Sequence, residues 1–173
     1  MKFHLTVQQL KFYSDNGYIG FDNLGVEFPQ KEEARRDLWR KEPSLEQLIV
    51  RKLGPLALQL TRKTKLYLAC DERISETWDT KSAIQKHFSF QGLACVVALL
   101  SDPQTPLFFM HPSTWPSMLP GWPTTPTDCY LIAYGTNETR YVNNPKDPLN
   151  HWLKKYGFGF GDSLQKNPMI GPI

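Results

Sequence analysis

The chain has 173 residues, 20 Lys and Arg against 17 Asp and Glu for a formal charge of +3, and 13% aromatic residues. That length suits one domain, residues 1–173, with a substantial core, and so small a net charge argues against a dedicated polyanion binder. Three cysteines, Cys70, Cys95 and Cys129, are odd in number and far apart, which does not indicate a disulfide framework or a paired zinc knuckle; they are expected to be reduced, with Cys95 and Cys129 read as small buried hydrophobes inside apolar runs.

The first element reads as a capped helix. Thr6 is placed to cap it with Gln9 closing a capping box, Val7, Leu10 and Tyr13 share one face, and Gly17 suits the left-handed residue that ends it. A strand is expected from Tyr18. From Gln30 to Lys41 the composition is helical, with Ala34, Leu38 and Trp39 apolar. Its charges, Arg35, Arg36, Arg40 and Lys41 among Glu32, Glu33 and Asp37, read as a solvated helix face. Ser44, with Gln47 at the box position, predicts a further helix through Leu53 that Gly54-Pro55 stops. Four strands then follow one another, Lys65 to Cys70, His87 to Leu100, Leu107 to His111 and Asp128 to Tyr134, with no long helix between them. This order favours an α+β protein, an antiparallel sandwich or open barrel with helices packed on one face.

Between Ser101 and Pro126 stand Pro103, Pro106, Pro112, Pro116, Pro120, Pro123 and Pro126, a density that leaves room only for the short strand at Leu107 to Met110. The same stretch carries Trp115, Met118, Leu119 and Trp122, the candidate surface for a protein partner. Tyr156-Gly157-Phe158-Gly159-Phe160-Gly161-Asp162 follows a short helix near Leu149 to Lys155 instead of opening one, so it is no nucleotide loop. Gly157 reads as a helix C-cap and Phe158 and Phe160 as a tail packed on the core.

The segment from Leu5 to Leu24, a capped helix turning at Asn16-Gly17-Tyr18 into a strand, resembles the N-terminal edge of the phytanoyl-CoA-hydroxylase-like branch of Fe(II)/2-oxoglutarate oxygenases, and also a small conserved chlamydial protein expected to share that fold. The resemblance implies a double-stranded β-helix, jelly-roll-like, with the N-terminal helices on one face. It also implies an iron held by a His-x-Asp or His-x-Glu pair plus a distal His, and an Arg or Lys on a late strand for the co-substrate. None of His4, His87, His111 and His151 has a carboxylate two residues on. If the strands at Leu93 to Leu100 and Phe108 to Ser113 match the family's central pair, the metal dipeptide falls at Trp78-Asp79-Thr80-Lys81. Asp79 then stands for the His and Lys81 for the Asp. Trp78, Asp79, Lys81, His87, His111 and Arg140 are therefore the candidate pocket, with no catalytic residue, metal or cofactor assigned.

The function expected on these grounds is a non-catalytic binding or interaction module that kept the scaffold and lost the iron face. An alternative is an oxygenase with non-standard ligands, Asp79 with His87 and a distal His111 or His151, and Arg140 on 2-oxoglutarate. Iron and 2-oxoglutarate are cofactors only under that alternative. A second alternative, a metal-responsive nucleic-acid regulator, needs a metal cluster and a basic reading element, neither of which the sequence displays, so nucleic acid is not expected as a partner. No G-x-S-x-G, His-Glu-x-x-His or phosphate-loop motif occurs. Adjacent carboxylates such as Asp71-Glu72 and Glu32-Glu33 should point in different directions and imply no acid–base pair. With no charged-then-apolar leader and no apolar run near the roughly 20 residues a bilayer span needs, a cytoplasmic protein without membrane contact is expected.

Overall fold

The structure, a computed structural model, describes residues 3–22, 24–29, 35–75, 77–125 and 127–172. Helix α1 (Val7–Asn16) forms where the capping signals place it. Thr6 Oγ1 accepts from the Gln9 backbone N–H at 3.1 Å, Gln9 Oε1 accepts from Thr6 N–H at 2.8 Å, and Gly17 takes the left-handed conformation with φ 76°. Its inner face is narrower than the periodicity implies, because Tyr13 is buried and Leu10 half-buried while Val7 is 81% exposed. Strand β1 (Tyr18–Phe21) starts directly after the cap.

Two helical expectations need correction. Residues 30–34 lie outside the described residues, and 35–41 form no helix beyond a 3-10 turn at Leu38–Arg40. Residues 35–37 instead run beside β2 (Leu66–Ile74), with Asp37 N–H donating to Asp71 O at 2.8 Å and Arg73 N–H to Arg35 O at 2.8 Å. The next helix begins at Pro43 after Glu42, without a side-chain cap from Ser44, and does not stop at Gly54-Pro55. Helix α2 (Pro43–Gln47), a π-helical segment (Leu48–Leu53) and α3 (Gly54–Thr61) follow one another without a break. The wider π turn directly precedes Pro55, whose ring and missing N–H an ordinary α turn accommodates poorly inside a continuous helical run. Gly54 is there for close approach: a Cβ would lie 2.8 Å from both branches of Ile170.

Strands β3 (Phe90–Leu100), β4 (Leu107–Met110), β5 (Cys129–Tyr141) and β6 (Met169–Ile170) join β1 and β2 in a six-stranded antiparallel sheet of order β1-β4-β3-β5-β2-β6. The central strands β3 and β5 are covered on both faces, which is why their sequences are apolar almost without alternation. One face, carrying Leu68, Val97, Phe109, Ile132 and Tyr134, packs on α1 and on Ile49, Leu53, Leu56 and Leu58 of the helical run. The other, carrying Val96, Ala98, Met110, Leu131 and Ala133, is covered by Ile84, Phe88, Leu119, Leu153, Phe158 and Leu164 from irregular segments and 3-10 turns.

The described strands thus make one sheet, where a closed jelly roll has two. The prolines explain part of this, since a segment without ladder N–H groups cannot pair as a central strand. A bulge between Leu68 and Cys70 shifts the alternation of β2 by one residue. Beyond it Asp71 faces the helices and Glu72 the irregular layer. Among the described residues no helix is long and apolar enough to cross a membrane.

Candidate functional site

The bulge sends Glu72 into the irregular layer, where a charge needs partners, and the segment beside β2 supplies them. Arg36, paired across the bridge with Glu72, is 2% exposed and lies between two carboxylates. Its Nη2 donates to Glu72 Oε2 at 2.6 Å and to Asp147 Oδ1 at 3.0 Å, and Nη1 donates to Asp147 Oδ2 at 2.7 Å and Leu149 O at 3.3 Å. Arg35 Nε donates to the other Glu72 oxygen at 2.7 Å, and His87 Nε2 lies 3.0 Å from Glu72 Oε2. With guanidinium donors on both carboxylate oxygens, Glu72 is the anion and His87 Nε2 the N–H donor. Burial by itself would raise the Glu72 carboxyl. The His87 hydrogen bond and the Arg36 charge outweigh it and hold Glu72 at about 2.

Asp147 is fixed from its own turn, accepting from Leu149 N–H at 2.9 Å, while Ser89 Oγ lies 2.7 Å from Asp147 Oδ2 and 3.0 Å from Asn150 Oδ1. Tyr141 OH donates to the Asn150 carbonyl. The cluster therefore ties β2, the 3-10 turn at Ile84–His87, the start of β3 and the 147–150 turn together. Its outer member is His87, whose ring sits 5.2 Å from that of Trp78 and 5.0 Å from that of Phe88.

Trp78 in turn walls a cleft of about 260 Å³, together with Trp122, Thr77, Thr80, Thr124, Thr125, Thr127, Pro123, Asp79 and Lys81, over Leu100 at the end of β3. The two indoles meet edge to face with centroids 6.3 Å apart. Asp79 is occupied within its own turn, accepting from Lys81 N–H at 2.9 Å and Ser82 Oγ at 2.7 Å. Among the described residues Lys81 has no ion-pair partner.

Of the residues singled out from sequence, Trp78, Asp79 and Lys81 come together here with His87 behind them. His111 and Arg140 do not join them. His111 is exposed at the end of β4 with Nδ1 2.6 Å from Ser113 Oγ, and Arg140 turns back on the carbonyls of Asn137 and Thr139 at 2.7 and 3.0 Å. The expected partner surface also divides. Trp115 and Met118 are 49% and 74% exposed, Leu119 is buried in the core, and Trp122 packs on Trp78 and Phe108.

On the helix face, Asp71 accepts from Tyr130 OH and from Trp39 N–H at 3.2 Å. Burial, with the nearby Asp37 charge adding to it, outweighs the Tyr130 hydrogen bond and pushes the Asp71 carboxyl up to about 7. Neighbouring carboxylates on opposite faces of one strand therefore titrate in opposite directions. The pair Glu32-Glu33 lies outside the described residues. All three cysteines are buried and free, and burial pushes the Cys95 thiol up to about 12.

Sequence reading missed Arg36, Glu72, Ser89 and Asp147. Apolar Ile74 following Asp71-Glu72-Arg73 was the available sign that the strand continues past Cys70 with its acids inside.

No protein-family model matches the chain, and no curated protein sequence matches it. Solved structures do. CT296 from Chlamydia trachomatis aligns over 79% of this chain and 99% of that one, at 18% identity and a TM-score of 0.56. The non-heme alpha-ketoglutarate-dependent carbocyclase SnoK from nogalamycin biosynthesis aligns over 96% of each chain at 12% identity and a TM-score of 0.63. The epimerase SnoN, solved with Fe3+, alpha ketoglutarate and nogalamycin RO, aligns over 94% of this chain and 97% of its own at 12% identity and a TM-score of 0.61. Identities this low speak to fold alone, and at that level the resemblance carried by Leu5 to Leu24 holds: the chain has an oxygenase-like scaffold built on a curled antiparallel sheet.

Proposed function

We propose that the chain is a non-catalytic binding module on an oxygenase-like scaffold, its irregular layer standing where the second sheet of a jelly roll would stand. The observation that carries this reading is the Arg36 guanidinium. Glu72, with His87 at 3.0 Å, is the kind of His–carboxylate pair that could face a metal, yet both its oxygens are taken by Arg35 and Arg36, and Asp147 is taken by Arg36. A fixed cation already neutralises those acids, and a ferrous ion would have to displace it against strong repulsion. The dipeptide position fits no better, since Asp79 is bound within its own turn and Lys81 brings a positive charge. Among the described residues no three His, Cys, Asp or Glu side chains are grouped to hold a metal ion. The described residues therefore do not fit iron.

Anaerobic thermal unfolding with and without Fe(II) or Mn(II) plus 2-oxoglutarate tests the reading. A ligand at about 100 times its dissociation constant adds roughly 2.7 kcal/mol to the native state. Unchanged unfolding with both components is the expected result. A rise of several degrees that needs both would favour the second reading, an oxygenase with non-standard ligands, to which the likeness to SnoK and SnoN lends support.

A further inference from the structure

The cleft beside Trp78 has a composition that specifies a ligand. Its walls are the indoles of Trp78 and Trp122 over Leu100, flat apolar surfaces that favour a planar ring. Its rim carries hydroxyls such as Thr77 and Thr125, which both donate and accept. Its lining holds one carboxylate, Asp79, and one ammonium, Lys81, and only the ammonium is left without a partner among the described residues. The Asp79 carboxylate is satisfied by Lys81 N–H and Ser82, and Lys86 and Lys146 lie close enough to act on it through space. Size bounds the choice further. A cavity of about 150 Å³ holds benzene, so about 260 Å³ accommodates one ring with its substituents. A divalent cation is disfavoured by the lysines, and a neutral sugar would leave Lys81 unused.

We propose that this cleft binds a small aromatic carboxylate, with its ring against Trp78 and Trp122 and its carboxylate on the Lys81 ammonium. The proposal rests on the binding-module reading and gives that module its ligand class. The Arg36–Glu72–His87 cluster then has a role in binding: His87, held by Glu72, backs the Trp78 wall and keeps the cleft formed before the ligand arrives.

The test is a fluorine NMR titration of the purified protein in EDTA, with 4-fluorobenzoate as probe and 4-fluorobenzyl alcohol as its neutral match. The carboxylate should bind saturably with a dissociation constant on the order of 1 mM, the range open to so small a ligand. The alcohol should bind about fivefold or more weaker. Lys81→Gln, at an exposed position, should bring the two probes together, and Trp122→Ala should abolish binding of both. Trp115→Ala, outside the cleft, should change neither. Non-saturable broadening, equal affinity for the two probes, or an unaltered preference in Lys81→Gln overturns the proposal, as does displacement of the probe by methyl glucoside with no dependence on Lys81. EDTA keeps this outcome separate from the iron question. An oxygenase would fail the thermal test above and leave this titration unaffected, while an unselective cleft fails here and leaves that test unaffected.

Discussion

Replacing Arg36 with Met keeps most of the apolar stem and removes the charge, so it isolates what the guanidinium contributes. The variant loses donors to Glu72 Oε2, both Asp147 oxygens and the Leu149 carbonyl. Glu72 retains Arg35 and His87, and Asp147 retains Ser89 and Leu149 N–H, so neither acid is left bare, but both remain buried with less compensation. Removing one partner of a buried ion pair costs about 3–5 kcal/mol. The depressed Glu72 carboxyl points the same way. Glu72 titrates at about 2 against an ordinary 4.5, and at roughly 1.4 kcal/mol per pH unit that difference is worth about 3 kcal/mol, of which Arg36 supplies part. Because the folded value is depressed, this stability is present above pH 4.5 and is lost as pH falls toward 2. Urea unfolding followed by circular dichroism should therefore show Arg36→Met losing about 3–5 kcal/mol at pH 7 and clearly less at pH 3, where a freed Glu72 takes up a proton. Arg36→Lys, which keeps the charge without the fork, should fall between. A loss under about 1 kcal/mol at pH 7, the value of an exposed pair, or a loss that does not change with pH, would refute the reasoning.

Asp71 has the opposite sign. Its folded value of about 7 exceeds the ordinary 3.8, so the native state holds a proton that the unfolded chain has released, and stability should decline as pH rises between those values. Asp71→Asn should flatten that slope in a series of thermal melts from pH 4 to 8, and an unchanged slope would assign it elsewhere. The divided tryptophan loop makes a paired expectation: Leu119→Ala should cost about 2–5 kcal/mol and Met118→Ser under about 0.5 kcal/mol in chemical denaturation, and equal costs would contradict the burial described. Gly54→Ala should destabilise by about 1–3 kcal/mol through its clash with Ile170, and a gain in stability, the usual outcome for Gly→Ala in a helix, would show that β6 yields there.

What sequence revealed was local. The cap at Thr6, the box at Gln9 and the turn at Gly17 involve groups within a few residues of one another, and all formed as read. The central strands were legible because burial on both faces writes itself as a continuous apolar run. What sequence concealed was set by distant partners. Arg36 reads as a solvated helix charge until Glu72 and Asp147, 36 and 111 residues away, are placed around it. Gly54-Pro55 reads as a stop signal until Ile170 is seen against the glycine. The bulge after Leu68 has no marker of its own, yet it decides which of two adjacent acids enters the irregular layer. The cleft was found in part, through Trp78, Asp79 and Lys81, because those residues are close in sequence, whereas Trp122 reaches it from the proline-rich segment.

If Arg36 keeps Glu72 and Asp147 closed to a metal ion, as proposed, electron paramagnetic resonance of Mn(II) will show it. Under argon, with 2-oxoglutarate present, Mn(II) is titrated into a stoichiometric concentration of the protein and the free-ion signal is followed. That signal should grow in step with every addition, as in buffer alone. Loss of one equivalent of free Mn(II), seen only when 2-oxoglutarate is present, would contradict it.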